Sequence, residues 1–119
     1  MALDQKALDE LRALDPDGSE GILARIISSY LEDAPALIQQ MKTALSANDV
    51  PTLTRHAHSL KSTSLSLGAT RVSELAREIE VAGRDKAIDG CQVLLMALSA
   101  EYASAERLLR AERGAVNTK

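Results

Sequence analysis

The chain has 119 residues and a mass of 12.7 kDa, which suits one domain with a single core. It contains no Phe, no Trp and two Tyr, so the core must be built from aliphatic side chains and Met, which favours packed helices over a sheet. A net charge of −3 and a pI near 5.4 argue against nucleic acid as a partner, because sequence-independent binding to nucleic acid needs a strong basic excess.

The N-terminal third predicts two helices. Asp4 fits an N-cap for a short helix that carries Leu8, Leu11 and Leu14, and the turn at residues 15–18 stops it. After that turn, Ser19 and Glu20 are predicted to open a long helix that Pro35 kinks without ending. Its apolar residues recur every three or four positions: Leu23, Ile27, Tyr30, Ala34, Leu37, Met41 and Ala44.

Three more helices follow. Pro51 suits the first turn of the third helix, which Gly68 ends, and its inward face carries Leu53, Ala57, Leu60, Ser64 and Leu67. The fourth ends near Gly83 and carries Val72, Leu75, Ile79 and Ala82. The fifth carries Cys91, Leu95, Leu98, Tyr102, Ala105 and Leu109.

Four long amphipathic helices with short connections pack best as an antiparallel up-down four-helix bundle, with the short leading helix as an extra element. We therefore predict an all-α fold, one domain over residues 1–112, a frayed tail at 113–119 and a monomer. The single cysteine, Cys91, is predicted to be a small buried hydrophobic residue. With no membrane span and no signal peptide in sight, we expect a cytoplasmic protein.

The third helix carries both histidines of the chain, and they face different surroundings. At about 100° per residue from Leu53, His58 lies at about 140°, Lys61 at about 80° and Leu65 at about 120°, which makes one exposed flank. His56 lies about 200° from His58, so the two imidazoles cannot converge on one metal ion, and no metal site is predicted. For His56 a solvated side chain is the simplest interpretation.

For His58 the surroundings favour chemistry. An imidazole with a pKa near the reference value of about 6.5 is a usable nucleophile at neutral pH, and a phosphoryl group is its natural electrophile. Phosphoryl transfer needs in-line access and positive charge near the phosphoryl oxygens. Lys61, three residues on, supplies charge, and the short side chain of Ser62 leaves room for a partner to approach.

The segment from His58 to Ala69 reads His-Ser-Leu-Lys-Ser-Thr-Ser-Leu-Ser-Leu-Gly-Ala, which resembles the signature His-x-Leu-Lys-Gly-Ser-Ser, then Gly-Ala, of histidine phosphotransfer (HPt) domains. The resemblance implies a phosphorelay carrier in two-component signal transduction. Such a carrier takes a phosphoryl group from an aspartate of one receiver domain and passes it to an aspartate of another, without ATP-dependent kinase activity. The implied partners are response-regulator receivers and a hybrid sensor histidine kinase; the chain needs no cofactor, and Mg²⁺ is expected on the partner receiver.

The resemblance carries over residue by residue. His58 matches the phosphorylated histidine and Lys61 the positive residue beside it, while Ser64, Gly68 and Ala69 match the rest of the motif. Ser62 stands where the family more often has glycine, so we expect slightly tighter access at that position.

Glu80 is the second departure from the family pattern. In an antiparallel hairpin that turns near Ala69, residues whose numbers sum to about 138 are level, so Glu80 lies level with His58. Many family members have glutamine there, whereas a carboxylate favours protonated imidazole and repels phosphate. Two alternatives stay open: Glu80 accepts a hydrogen bond from the far ring nitrogen and fixes the tautomer, or it points outward into solvent.

Receiver docking is expected on the same flank. Leu65, aliphatic yet exposed, is the candidate anchor, and Arg55 is a further candidate for guiding an acidic partner. The second helix is also expected to contact the receiver. Its apolar residues exceed one stripe, so Ile22, Ile26 and their neighbours all stay candidates for that contact. The alternative function is a helical adaptor or scaffold that binds receiver-type partners without being phosphorylated.

Overall fold

The computed structural model describes residues 3–117 of the chain. Within that range the chain is helical, with no strand, and its elements follow the predicted order. They are α1 (Gln5–Arg12), α2 (Ile22–Ser46), α3 (Val50–Ser66), α4 (Thr70–Arg84), a 3₁₀ turn (Ile88–Gly90) and α5 (Cys91–Asn117).

The four long helices form a closed ring in which α3 packs between α2 and α4, and α5 also packs between α2 and α4. Short connections reverse the chain between them, and the bundle is elongated, 47 × 21 × 20 Å. Helix α1 packs at one end against α2 and α3. The predicted four-helix bundle with a short leading helix is confirmed.

The leading segment is fixed to the turn between α3 and α4. Asp4 caps α1 by accepting a hydrogen bond from the backbone of Lys6, and its own N–H donates to the carbonyl of Gly68 at 2.8 Å. Gly68 has φ +77°, and a Cβ there would lie 2.5 Å from the carbonyl oxygen of Asp4. Only glycine fits, because both the backbone conformation and the close approach exclude a side chain.

Two predictions about the N-terminal third are wrong in detail. Helix α1 ends at Arg12, so Leu14 lies in the following turn and is 64% exposed. Helix α2 begins at Ile22 after Gly21, not at Ser19, because the buried carboxylate of Asp15 accepts hydrogen bonds from the backbone just before and at the start of the helix. The helix then runs without a break through Pro35, as predicted, but a buried Ile38 replaces the half-buried Leu37 in its stripe.

Helix α4 ends where predicted, whereas α5 runs further than predicted. Helix α4 ends at Arg84, next to Gly83, and Ala82 on its predicted stripe is only partly buried. The frayed tail was predicted to begin at residue 113, but α5 continues to Asn117. Residues 118–119 lie outside the described range. Arg113 donates a hydrogen bond to Ser28 of α2 at 3.1 Å, which ties this last turn to the bundle.

The remaining core predictions hold. Cys91 begins α5 and is fully buried, as are Leu98 and Leu109 below it on the same stripe. Within residues 3–117, no helix has both the length and the apolar character needed to cross a membrane.

Candidate functional site

His58 lies midway along α3, on the edge where α3 packs against α4. The helix starts at an Asp49 cap, whose carboxylate accepts from the backbone of Thr52, and Pro51 occupies its first turn. The imidazole of His58 is 56% exposed, while its Nδ1 lies 2.7 Å from Oε2 of Glu80 on α4. One edge of the ring is therefore held by the bundle and the other faces solvent.

Glu80 is a buried carboxylate, its side chain only 2% exposed, and three basic groups surround it. Oε2 accepts from His58 and from Arg84 Nη2, the latter at 2.6 Å, and Oε1 lies 2.8 Å from Lys61 Nζ. We call His58, Lys61, Glu80 and Arg84 the charged cluster. A buried charge is expensive unless it is paired and hydrogen-bonded, and both oxygens of this carboxylate are.

The ionisation of Glu80 fixes the tautomer of His58. Burial raises the pKa of the Glu80 carboxyl, but the hydrogen bonds from Lys61 and His58, with the charges of Lys61 and Arg84, outweigh burial and hold the pKa below its ordinary value. An ionised carboxylate can only accept, so His58 Nδ1 carries the proton and donates it. In neutral imidazole, Nε2 then keeps its lone pair on the exposed side of the ring.

Glu80 lies level with His58, as predicted. Of the two alternatives for the Glu80 side chain, the outward, solvated orientation is wrong. Lys61 lies one turn from His58 as predicted, but it is bound to Glu80 and only 27% exposed. Arg84 was missed in the sequence. Its spacing of four residues from Glu80 on one helix was the available signal.

Two contacts on either side of Glu80 hold α3 against α4. Ser73 donates its hydroxyl to the carbonyl of Lys61 at 2.8 Å. On the other side, Gly83 lies so close to α3 that a Cβ would overlap Thr54 Oγ1, which itself donates to the carbonyl of Val50. Sequence reasoning treated Gly83 as a helix end; a glycine within a helical stripe could instead have indicated close helix packing.

The other predicted site residues are distributed around this edge. Leu65 is 57% exposed and Ser62 is exposed, both as predicted. Arg55 is exposed and lines a groove together with His58. Ser64 is fully buried in the core, as predicted from its place on the inward face, and lies 2.7 Å from the hydroxyl of Tyr30. Gly68 and Ala69 form the turn after α3.

His56 differs from its prediction as a solvated side chain, because it is partly buried. Burial, with the nearby charge of Arg55, lowers the pKa of His56. Among the residues that the structure describes, no three His, Cys, Asp or Glu side chains are grouped to hold a metal ion.

The groove beside His58 has a volume of about 840 Å³ and runs between α3 and α4 towards the turns that follow α2 and α4. Its lining includes Pro51, Thr54, Arg55, His58, Arg84 and Lys86. The exposed edge of the imidazole therefore lies at one end of this open groove, which is lined by more basic than acidic side chains.

Comparison with known proteins gives one matching family and two named relatives. The family model described as Hpt domain matches residues 25–111. Histidine-containing phosphotransfer protein 2 of Arabidopsis thaliana is 32% identical over 96 residues, which cover 78% of this chain and 62% of that protein. Multistep phosphorelay regulator 1 of Schizosaccharomyces pombe is 29% identical over 92 residues, which cover 77% of this chain and 31% of that protein. The chain thus spans less than two thirds of either relative.

The fold has a close counterpart among solved structures. The crystal structure of histidine-containing phosphotransfer protein B from Pseudomonas aeruginosa PAO1 superposes with a TM-score of 0.85. The match covers 94% of both chains at 24% sequence identity. At this identity the likeness establishes the bundle architecture.

Proposed function

The chain belongs to the Hpt domain family, and from that premise we propose that it carries a phosphoryl group on Nε2 of His58 between aspartates of two receiver domains. The observation that carries the proposal is the exposed imidazole whose Nδ1 is bound to a buried, ionised Glu80. That arrangement leaves a nucleophilic nitrogen on the solvent side, where a partner can approach in line.

The transfer balances without a proton leaving the chain. The Nε2 lone pair attacks the phosphorus of an aspartyl phosphate, the N–P bond forms, and the bond from phosphorus to the carboxyl oxygen breaks to release the aspartate. The ring of His58 gains positive charge while Nδ1 keeps its proton. Glu80 lies 2.7 Å away and offsets that charge, and the reverse reaction delivers the phosphoryl group to a second aspartate.

The cations of the charged cluster act on the phosphoryl oxygens in this proposal. Lys61 and Arg84 are held on opposite oxygens of Glu80, so both positive charges stand next to His58 before any partner arrives. Prepositioned charge stabilises a phosphoryl group in transfer without further reorganisation. Ser62, small and exposed one turn after His58, leaves space for the partner's active site.

We further propose that the partners are response-regulator receivers and a hybrid sensor histidine kinase, with Leu65 as the apolar anchor of docking. The chain would act in the cytoplasm as a monomer and hold no cofactor, Mg²⁺ being bound by the partner receiver. It contributes no ATP-dependent kinase activity. The exposure of Leu65, 57%, supports its role as an anchor.

The test is label transfer from a phosphorylated receiver, followed by intact mass and by the acid lability of the product. We expect acid-labile label on the natural chain and on His56→Gln, and none on His58→Gln. Circular dichroism of the two variants checks that both remain folded. Label on His58→Gln would contradict the assignment of the nitrogen donor, and no transfer from any of several receivers would favour the non-phosphorylated adaptor instead.

A further inference from the structure

The groove beside His58 concentrates positive charge in a chain whose net charge is −3. Its lining contains three cations, Arg55, Arg84 and Lys86, against one carboxylate, Glu80. That carboxylate is already paired with Lys61 and Arg84. The groove is thus locally basic while the remainder of the surface is acidic in balance.

Two of the cations are available to a ligand. Within the part of the chain that the structure describes, neither Arg55 nor Lys86 forms an ion pair, and both are exposed. The charge of Arg55 contributes to the lowered pKa of Asp49. The Asp49 carboxylate, however, caps α3 by accepting a hydrogen bond from the backbone of Thr52.

The backbone fixes Lys86 at the end of the groove. Lys86 has φ +55°, and its N–H donates to the carbonyl of Gly83 at 3.2 Å. A cation after a helix also complements the helix dipole, which gives Lys86 and Arg84 a structural use. Arg55 lies within α3, away from either end, so the dipole does not account for its position.

We infer that Arg55 and Lys86 steer the negatively charged, phosphoaspartate-bearing end of the receiver along this groove onto His58. The inference rests on the proposed function, for which it names the direction of approach. An aspartyl phosphate brings roughly two negative charges to the encounter. Complementary charge at the rim of an interface accelerates association more than it tightens the final complex, and salt screens it.

The experiment measures the rate of transfer from a phosphorylated receiver at rising concentrations of NaCl. Arg55→Gln, Lys86→Asn and the double variant are compared with the natural chain; asparagine is chosen because it tolerates the left-handed backbone of Lys86. The matched control is Lys42→Gln, which removes an exposed charge from the far side of the bundle, between α2 and α5. Thermal unfolding of each variant verifies the fold.

We expect each groove variant to slow transfer several-fold at low salt, and the double variant to lose most of the salt dependence of the transfer rate. Lys42→Gln should keep the transfer rate and the salt dependence of the natural chain. Equal slowing by Lys42→Gln and the groove variants would overturn the inference. Failure of the natural chain to accept label at all would instead reject the proposed function.

Discussion

Two polar assemblies of the bundle, both built on α3, differ in how they meet the cost of burial. Tyr30 and Ser64 form a neutral pair, their hydroxyl oxygens 2.7 Å apart and closed off from solvent. Burial raises the pKa of Tyr30 to about 12 although the hydrogen bond with Ser64 lowers it. The charged cluster buries one carboxylate but leaves the imidazole of His58 and the guanidinium of Arg84 more than half exposed. The two hydroxyls of the neutral pair bind each other, whereas the cluster leaves one edge of the His58 ring exposed to solvent.

The difference separates stability from chemistry along a single helix. A closed neutral pair has no group left for a partner, so its loss should change the free energy of unfolding and leave transfer intact. Loss of the charged cluster, which keeps one ring nitrogen in solvent, should slow transfer in addition to changing the free energy of unfolding. Four substitutions test this contrast.

Gly83→Ala should have the largest effect, because it disturbs both properties. The new methyl group overlaps Thr54 Oγ1, so either Thr54 leaves the rotamer that donates to the carbonyl of Val50, or α4 moves away from α3 beside Glu80. Overpacking of this kind costs about 1–3 kcal/mol of unfolding free energy, and we expect transfer to slow as well because the cluster is displaced. Urea unfolding and the transfer assay measure the two effects.

The matched control is Gly114→Ala in α5, where no atom lies within 4 Å of the added methyl group. Alanine is the better helix former by about 0.5–1 kcal/mol, so this variant should be at least as stable as the natural chain. Unaltered stability in Gly83→Ala would show that this glycine does not set the distance between α3 and α4.

Tyr30→Phe should lower stability by about 1 kcal/mol and leave transfer unchanged, because it strands the hydroxyl of Ser64 in the core. Tyr102→Phe is the control: its hydroxyl is buried without a hydrogen-bond partner among the described residues, so its removal should be neutral or stabilising. Denaturant midpoints compare the two. Equal losses in both variants would mean that the bond between Tyr30 and Ser64 contributes nothing.

Glu80→Gln should be less stable than the natural chain at neutral pH, and this difference in the free energy of unfolding should shrink as the pH falls. Because the folded pKa of Glu80 lies below its ordinary value of 4.5, the ionised form stabilises the fold fully above that value, and the contribution disappears as the pH drops through the folded pKa. At neutral pH we also expect slower transfer, since glutamine cannot offset charge on the ring of His58.

Urea unfolding between neutral and acidic pH measures the first effect, with Glu78→Gln, exposed on the same helix, as the control. A pH-independent difference would argue against an ionised Glu80. Unchanged transfer in Glu80→Gln would remove Glu80 from the reaction and leave it a structural role.

Leu65→Asn should have the smallest effect on stability, within about 0.5 kcal/mol, because the side chain is already 57% exposed. We expect weaker receiver binding, measured by titration with the receiver. Val93→Asn on α5, 71% exposed and away from the α3–α4 edge, is the control and should bind normally. Equal affinities of the two variants would contradict an apolar anchor at Leu65.

Much of the fold was predictable because helical periodicity is a local property. The stripes of α3 and α5 were predicted residue by residue, and antiparallel register placed Glu80 opposite His58. The start of α2 was missed because the carboxylate of Asp15 is buried and accepts hydrogen bonds from the N–H groups of Glu20 and Ile22, and periodicity does not show that burial.

The sequence by itself determined the helices, their order and the family, because apolar spacing and the motif at His58 are written along the chain. Only the tertiary structure decided that Glu80 is buried, that Lys61 and Arg84 hold its two oxygens, and that Nδ1 of His58 is the protonated nitrogen. Those facts depend on the distance between α3 and α4. Ser73 and Gly83 set that distance through contacts that no periodicity encodes.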